Sequence, residues 1–528
     1  MCNTSVGNRK SRFIVCLFFL IYFIVGLSIY SDYGISADEL PQHKIGVKFW
    51  GYVLRGDFSS PPAFRNKVYG AVFEMLLIDL EHRLKLENPR EIFFMRHFMN
   101  FLLFFVSVWF FYLLCKNHFG DYKIGLLGAL VLILSPRIFA DSFYNSKDLP
   151  FLSLYIICMY TLLRLSDRRS LGAAAVHALS CALLIDIRIP GVIMVVITLL
   201  SLGSDVGAPR HEGDRSSKAV TLTAVFLALL IPLTIAFWPY LWHNPATHFM
   251  TAFRTMSRFS RWPGYVLYLG DYIKGTELPW HYIPLWLIIT TPLLYVFNFF
   301  VGLSVFLAGL IRNPFNYLFG TQACRRETLF FLCFFLPLFA VIAFKSVLYN
   351  GWRQMFFIYP AFLLISLSGL TSIFRFIRTK LHFASPAYQY LFFGIIVFSV
   401  SSTAYSMIED HPYQNVYFND LVSEEEEYAA SHFVLDYWGL SYRKALEYIL
   451  SQDNDGVIDI EVADTVGKHN ALLLEEAERE RLRFVETRDQ AQYYVTHEGG
   501  DEGACLRGKE VYSIKVHGSK IIRVYKLR

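Results

Sequence analysis

The feature that most limits what this chain can fold into is a succession of about eleven apolar runs, most of them long enough to cross a bilayer at 1.5 Å of rise per residue. They lie at about Phe13–Tyr30, Phe98–Cys115, Ile124–Ala140, Leu149–Leu163, Leu171–Ile185, Gly191–Leu202, Ala219–Phe237, Ile283–Leu310, Thr328–Phe344, Phe356–Phe374 and Leu391–Ile408. The run Ile283–Leu310 is long enough for one tilted span or a broken pair. With 54% hydrophobic and only 18% charged residues over 528 positions, the chain is more apolar than a soluble fold requires. The expected class is an all-α polytopic membrane protein.

Charge placement gives the expected topology. Arg9, Lys10 and Arg12 precede the first run, and cytoplasmic loops collect Lys and Arg. The small-residue cleavage pattern of a signal peptide is missing after Tyr30, so this run reads as a retained span with the N-terminus inside. Alternate loops then carry Lys116 and Lys123; Arg164, Arg168 and Arg169; Arg210, Arg215 and Lys218; Arg312, Arg325 and Arg326; and Arg375, Arg378 and Lys380. Asp38, Asp148, Arg188, Trp242, Arg353 and everything after Glu409 fall on the opposite, outer side. The near balance of 49 basic against 44 acidic residues gives no reason to expect a nucleic-acid partner. Eight cysteines lack CxxC spacing and mostly sit in apolar runs, which argues against a disulfide framework; Cys505 alone lies in the polar tail.

Residues 1–409 are expected to form the membrane unit, with a long first outer loop over 31–97. Tyr69, Val72, Phe73, Leu76, Leu80 and Leu84 recur there at helical spacing between charged residues, the pattern of an interfacial amphipathic helix or of one packed on a small soluble subdomain. Residues 410–528 read as a small extracytoplasmic α/β domain, with helices at Ser441–Leu450 and His469–Arg483 and strands at Val457–Val462, Gln492–Thr496 and Val511–Tyr525. No inverted repeat with matching broken helices argues for a transporter.

The chemically most suggestive stretch is Ser36-Ala37-Asp38-Glu39-Leu40-Pro41-Gln42-His43, just after the first span. Adjacent carboxylates where a span meets water suit a general base, though Asp and Ser also cap helices. Other ionisable residues gather at outer span ends rather than mid-membrane: Arg137, Asp141, Lys147 and Asp148, then Asp186 and Arg188. An enzyme working at the outer leaflet distributes charge in this way, whereas a transporter carries some at mid-membrane.

Arg96-His97-Phe98-Met99-Asn100, a span ending Phe119-Gly120, a span ending Ser135-Pro136, Asp141 and Lys147-Asp148-Leu149-Pro150 together resemble the membrane core of GT-C glycosyltransferases. These are the phospholipid-carrier enzymes related to protein O-mannosyltransferases and to the lipid A aminoarabinose transferase. Asp38-Glu39 matches their first-loop acidic motif, and the likeness is best over about residues 10–200. It implies inverting transfer of a hexosyl or pentosyl group from a polyprenyl-phosphate carrier to an extracytoplasmic lipid, glycan or protein, in a multi-pass protein of a bacterial inner membrane.

Under that resemblance Asp38 is the expected base and Glu39 orients the acceptor or a nearby cation. Lys147, Arg188, Arg353 and Arg96 are the candidates for the donor phosphate, and Arg353 in Tyr349-Asn350-Gly351-Trp352-Arg353 can grip it bidentately. His43, Asp141, Asp148, Tyr240, His243 and Trp352 are candidates for acceptor or sugar contacts. The outer loop also holds Trp238, Trp242, Trp262, Tyr265 and Trp280, as an interfacial belt or a sugar floor. His411-Pro412-Tyr413-Gln414-Asn415-Val416-Tyr417-Phe418-Asn419 and Leu435-Asp436-Tyr437-Trp438-Gly439 suit either sugar binding or a packed junction. No cofactor is required; a divalent metal on His43, His243 and Asp148 is an option without ligand spacing to support it. The competing functions are a flippase for a lipid-linked sugar and a membrane anchor for envelope partners.

Overall fold

The computed structural model describes residues 3–56, 58, 60–64, 66–206, 213–257, 264–380, 387–423, 425–453, 456–497 and 508–528. Arg210, Trp262 and Cys505 lie outside them. The chain begins with α1 (Asn3–Ile29), α2 (Glu39–Arg55), α3 (Val72–Leu84), α4 (Pro89–Phe119), α5 (Tyr122–Ile133), α6 (Pro136–Tyr144), α7 (Asp148–Arg168), α8 (Leu171–Ile187), α9 (Val192–Val206) and α10 (Gly213–Phe237). It continues through α11 (Pro245–Ser257), the hairpin β1 (Tyr265–Tyr268) and β2 (Asp271–Lys274), α12 (Tyr282–Ile289), α13 (Leu293–Arg312), α14 (Pro314–Phe319), α15 (Gln322–Ala343), α16 (Tyr359–Lys380) and α17 (Ala387–Glu409).

Eight of these helices are long and apolar enough to cross a membrane, and the shorter apolar α8 and α9 occupy two further expected runs. The protein is therefore a multi-pass membrane protein. The expected run Ile124–Ala140 is not straight: α5 and α6 meet at 70°. Pro136 explains the bend, because a proline ring disfavours helical backbone at the residue before it and offers no N–H to the preceding turn. The α6 arm is thereby turned to carry Asp141 and Asn145 toward the end of the bundle where Asp38 lies. Ile283–Leu310 is likewise divided, with α12 ending at Ile289 and α13 starting after Pro292.

Loops assigned by charge to one side meet in space. Arg326 donates to Asp167 (2.7 Å) and to the Asn117 carbonyl (3.0 Å), and Arg325 reaches Ser204 (3.3 Å), joining four of the basic loops. At the opposite end Asp38, Asp148, Arg188 and Arg353 converge.

The first outer loop contains two helices where the sequence pattern had indicated one. In α2, Pro41 sits in the first turn, where its missing N–H costs nothing, and Gly46 allows α2 to lie on α3, since a Cβ there would be 3.0 Å from the Glu74 carbonyl. The buried face of α3 is Glu74, Leu77 and Ile78, while Leu76 and Leu84 of the anticipated apolar stripe face outward.

Beyond α17, residues 411–440 pack into the main helical core through Tyr413, Val416, Phe418, Phe433 and Trp438, and include α18 (Tyr428–His432). The remainder, α19 (Tyr442–Gln452), β3 (Ile458–Val462), α20 (Thr465–Asn470), α21 (Glu476–Glu480), β4 (Leu482–Phe484), β5 (Tyr493–Thr496), β6 (Lys509–Val516) and β7 (Ser519–Lys526), has its own core around Leu446, Ile449, Ile460, Val495 and Val524. The sheet order is β4-β3-β5-β7-β6, with β3 parallel to β4 and β5 and the other pairs antiparallel. The continuous helix expected over His469–Arg483 is broken, because Leu474 is extended and Glu475 starts a new capping box.

The tightest span crossing joins α13 and α16. A Cβ at Gly302 would stand 2.0 Å from the Ile365 carbonyl, and one at Gly369 would stand 2.0 Å from the Asn298 carbonyl. Small residues let backbones approach where lipid supplies no hydrophobic drive between helices. Gly302→Val is expected to destabilise the protein by roughly 1–3 kcal/mol or more through overpacking, read as a lowered midpoint of thermal unfolding in detergent; an unchanged midpoint would show that the crossing can relax.

Candidate active site

Asp38 stands at the N-cap position of α2, yet its side chain does not cap the helix. Its Oδ2 instead accepts from Arg353 Nη1 at 2.9 Å. The same Nη1 lies 3.0 Å from Asp148 Oδ2, and Arg188 pairs with Asp148 Oδ1. One arginine thus bridges two carboxylates, and a second closes the network. Asp148 is held by Asn145, whose Nδ2 donates to Oδ2 (3.3 Å) and whose Oδ1 accepts the Asp148 N–H (2.8 Å). This clasp forms in the turn between α6 and α7 that the Pro136 bend creates.

Asp38 is the most open member of the network, with 31% of its side chain exposed against 19% for Arg188, 5% for Arg353 and 1% for Asp148. The Arg353 guanidinium lies over Trp438 (4.5 Å) and Tyr349 (5.2 Å), and Lys147 Nζ lies over Tyr69 (4.2 Å). Burial favours the neutral acid of Asp38, but Arg353, Lys147 and Arg188 outweigh it and hold the carboxyl below the ordinary carboxylate range. Burial also lowers Lys147, against the opposing pull of Asp38.

The loop carrying Asp38 is braced from both sides. Glu39 Oε2 accepts the Ser36 N–H (2.7 Å), and Oε1 lies 3.0 Å from His97 Nε2. The Ala37 N–H donates to the Trp438 carbonyl (3.1 Å), and Asn470 binds both backbone groups of Ile35 at 3.0 Å. Glu39 is buried and turned away from Asp38 toward His97, so its role in the structure is to fix the loop.

The other expected site residues divide. Lys147, Arg188, Arg353 and Asp148 are brought together around Asp38. Arg96 is not: wholly buried, it donates to Glu74 Oε2 (2.6 Å), and Glu74 Oε1 accepts from Ser146 (2.7 Å), which places this pair behind Lys147. Asp141 is buried, facing the Tyr144 hydroxyl and the Trp438 indole. Trp352 is buried and donates to Thr290 (2.9 Å), so it packs the turn before Arg353 instead of facing the opening. His43 pairs with Glu81 (2.9 Å), while His243 stacks with His248, which stacks on Tyr240 (4.4 Å); neither histidine joins Asp148. Among the described residues no group of three or more His, Cys, Asp or Glu side chains is placed to hold a metal ion.

In the tail, Asn415 donates to Asp436 (3.0 Å), Gln414 to the Met407 carbonyl (2.8 Å) and Asn419 to the Thr291 carbonyl (2.6 Å). These polar groups knit a packed junction, which is the second of the two readings their sequence allowed. Asn145 beside Asp148 carried no local signal that it would reach the site, whereas Trp438 and Tyr349, which lie over Arg353, fall in stretches already singled out in the sequence.

The sequence of residues 91–238 matches the family model described as dolichyl-phosphate-mannose-protein mannosyltransferase. The structure is similar to the apo oligosaccharyltransferase of Archaeoglobus fulgidus, with TM-score 0.52 and 10% identity, covering 90% of this chain and 65% of that one. It is similar to the AglB oligosaccharyltransferase of the same organism in complex with an inhibitory peptide and a dolichol-phosphate, with TM-score 0.50, 10% identity and coverage of 91% and 69%. ArnT from Cupriavidus metallidurans in the apo state gives TM-score 0.49 at 10% identity, with 98% of both chains covered. A search by sequence among curated proteins finds no match.

The buried Arg96–Glu74 pair makes a test independent of chemistry. Removing one partner of a buried pair strands the other charge and costs roughly 3–5 kcal/mol. Arg96→Met is expected to unfold at markedly lower temperature, and Arg96→Met with Glu74→Gln is expected to recover much of the loss. A double variant no better than the single one would mean that the pair is not coupled.

Proposed function

We propose, starting from a GT-C fold and a mannosyltransferase family match over residues 91–238, that this protein is an inverting glycosyltransferase. Its donor is a sugar on a polyprenyl-phosphate carrier and its acceptor a hydroxyl or amine outside the cytoplasm. The observation that carries the reading is the partly open Asp38 carboxylate beside Arg353, with Lys147 and Arg188 close enough to act on it. The matched archaeal enzyme that holds a dolichol-phosphate gives further support for a lipid-phosphate donor.

In the proposed reaction the acceptor heteroatom attacks the anomeric carbon, the bond from that carbon to the phosphate oxygen breaks, and the carrier phosphate leaves with the electron pair. Asp38 takes the acceptor's proton. A phosphate leaving group needs cations rather than a paired general acid, in contrast to glycoside hydrolysis. Arg353, Lys147 and Arg188 are the cations for it, with Glu39 and Arg96 as positioning residues behind them. Residues 1–409 form the catalytic membrane unit in this reading, with 410–528 as an outer domain that braces the Asp38 loop. The Lys/Arg distribution supports a cytoplasmic N-terminus, in a bacterial inner membrane.

Arg353 serves two masters here. In the resting site it holds Asp38 ionised and a weak base. A donor phosphate that draws on Arg353 also adds negative charge beside Asp38, and both effects raise the Asp38 pKa toward the working pH. Donor binding therefore arms the base.

Asp38→Asn is expected to lower kcat by roughly 10²- to 10⁴-fold, the usual worth of a positioned base, while carrier binding persists. Mass spectrometry of envelope lipids and glycans from cells carrying only this variant would then lack the sugar that the intact gene restores; full restoration by the variant would overturn the base assignment. Because kcat/KM reports the free enzyme and kcat the donor complex, the acid limb of kcat/KM is expected below the ordinary carboxylate range. The acid limb of kcat should lie at higher pH. Coincident limbs would refute the arming of Asp38 by donor.

A further inference from the structure

Between α13, α15 and α16, toward the end of the bundle where the basic loops meet, a small notch opens beside Glu327. Glu327 is the sixth residue of α15, about 7.5 Å along the axis from the helix start at 1.5 Å per residue. Its half-buried carboxylate makes no hydrogen bond and no ion pair among the described residues. Arg325 and Arg326 precede it directly but turn away, to Ser204 (3.3 Å) and Asp167 (2.7 Å), because residues one and two apart do not share a helix face. The cation that acts on Glu327 is Arg375 of α16, an exposed side chain that also makes no ion pair among the described residues. An ionisable group left unpaired on the side of a span is costly, and such a group marks a ligand more often than a packing role.

The walls say which ligand. Phe306 and Phe331, stacked at 4.7 Å, close one side. Ser368 and Ser372 line the other, and the Ser372 hydroxyl donates to the Ser368 carbonyl (2.7 Å), which leaves its oxygen to accept. Glu327 and Ser372 therefore both offer acceptors to whatever enters. The notch holds about 30 Å³, room for roughly two groups of water's size. A primary ammonium with its three donors fits that space and that chemistry; a trimethylammonium is too large for it. Outside the notch, Val305 of α13 is 48% exposed and continues an apolar surface along the helix.

We propose that this notch binds the headgroup of a phospholipid of the phosphatidylethanolamine class. The ammonium enters against Glu327 and Ser372, the phosphate meets Arg375, and an acyl chain lies along α13. A zwitterion answers the two opposite charges that adjacent spans present. Phosphatidylglycerol brings nothing for Glu327, and phosphatidylcholine shields its charge behind methyl groups that the notch cannot admit. The site lies at the opposite end of the bundle from Asp38 and does not depend on the reaction proposed there.

The test uses the full-length protein in detergent and follows its thermal unfolding during titration with phosphatidylethanolamine, phosphatidylcholine or phosphatidylglycerol. Phosphatidylethanolamine is expected to raise the midpoint most. In Glu327→Gln its apparent affinity should fall roughly tenfold, the worth of a hydrogen bond to a charged group, and its lead over the other two lipids should vanish. A measurement on the unaltered protein stands even where that variant folds poorly: N,N-dimethyl phosphatidylethanolamine keeps the positive charge but enlarges the head, and is expected to bind less well than the parent lipid. Native mass spectrometry after exposure to an equimolar mixture of the three lipids should show phosphatidylethanolamine retained in preference. Equal responses of the unaltered protein to the three lipids would overturn the ammonium site, a lead that survives in Glu327→Gln would overturn Glu327 as its receiver, and undiminished binding of the dimethyl lipid would overturn the fit of a primary ammonium.

Discussion

A buried guanidinium cannot stand alone. Moving an ion out of water costs several kcal/mol even after relaxation, so Arg353, 5% exposed, has to be met by acceptors and opposite charge wherever the chain places it. It is met by Asp38 from 315 positions earlier and by Asp148 from 205 positions earlier. That requirement fixes three things together: the path of the first outer loop, the α6–α7 turn, and the short helical turn over Arg353–Ile358 that leads into α16. The aromatic faces of Trp438 and Tyr349 cover the remaining surface of the guanidinium, which adds the polar tail to the same constraint.

The tail therefore cannot be separated from the site on physical grounds. Asn470 satisfies the backbone of Ile35, Trp438 supplies the acceptor for Ala37, and Gln414 accepts from Tyr33 (3.2 Å). A nine-residue segment between a span and a helix, lacking a sheet or helix ladder of its own, needs such partners for its buried backbone groups. Gly34 shows how close the packing is, since a Cβ there would lie 2.4 Å from the Leu440 carbonyl. The loop carrying Asp38 is held largely by residues 315 to 435 positions away.

Much of this organisation was legible along the chain. Apolar runs marked the spans, and alternating Lys and Arg correctly grouped the loops that meet at each end. Local rules reached Asp38, Lys147, Asp148, Arg188 and Arg353 because charge at a span end is conspicuous. They also offered Arg96 for the phosphate without showing its neutralising Glu74 in a different helix 22 residues earlier, and they could not separate Trp352, turned into the core, from Arg353, turned into the site. The α2 helix escaped because Pro41 and its charged residues lower its apolar signal, although proline in a first turn is compatible with a helix. The bend at Pro136 was hidden by hydropathy that continues unbroken through it.

The arrangement of charge around Asp38 bears directly on the proposed reaction. Around Asp38 every cation is matched by a carboxylate or an aromatic face, so the resting site is nearly neutral and an incoming phosphate must displace an existing partner. Such a site binds weakly for its charge, but each displaced contact changes the protonation balance of the group left behind, which is how ligand binding and acid–base chemistry become linked. For the proposed reaction a matched network suits turnover, because the site has to release its phosphate product.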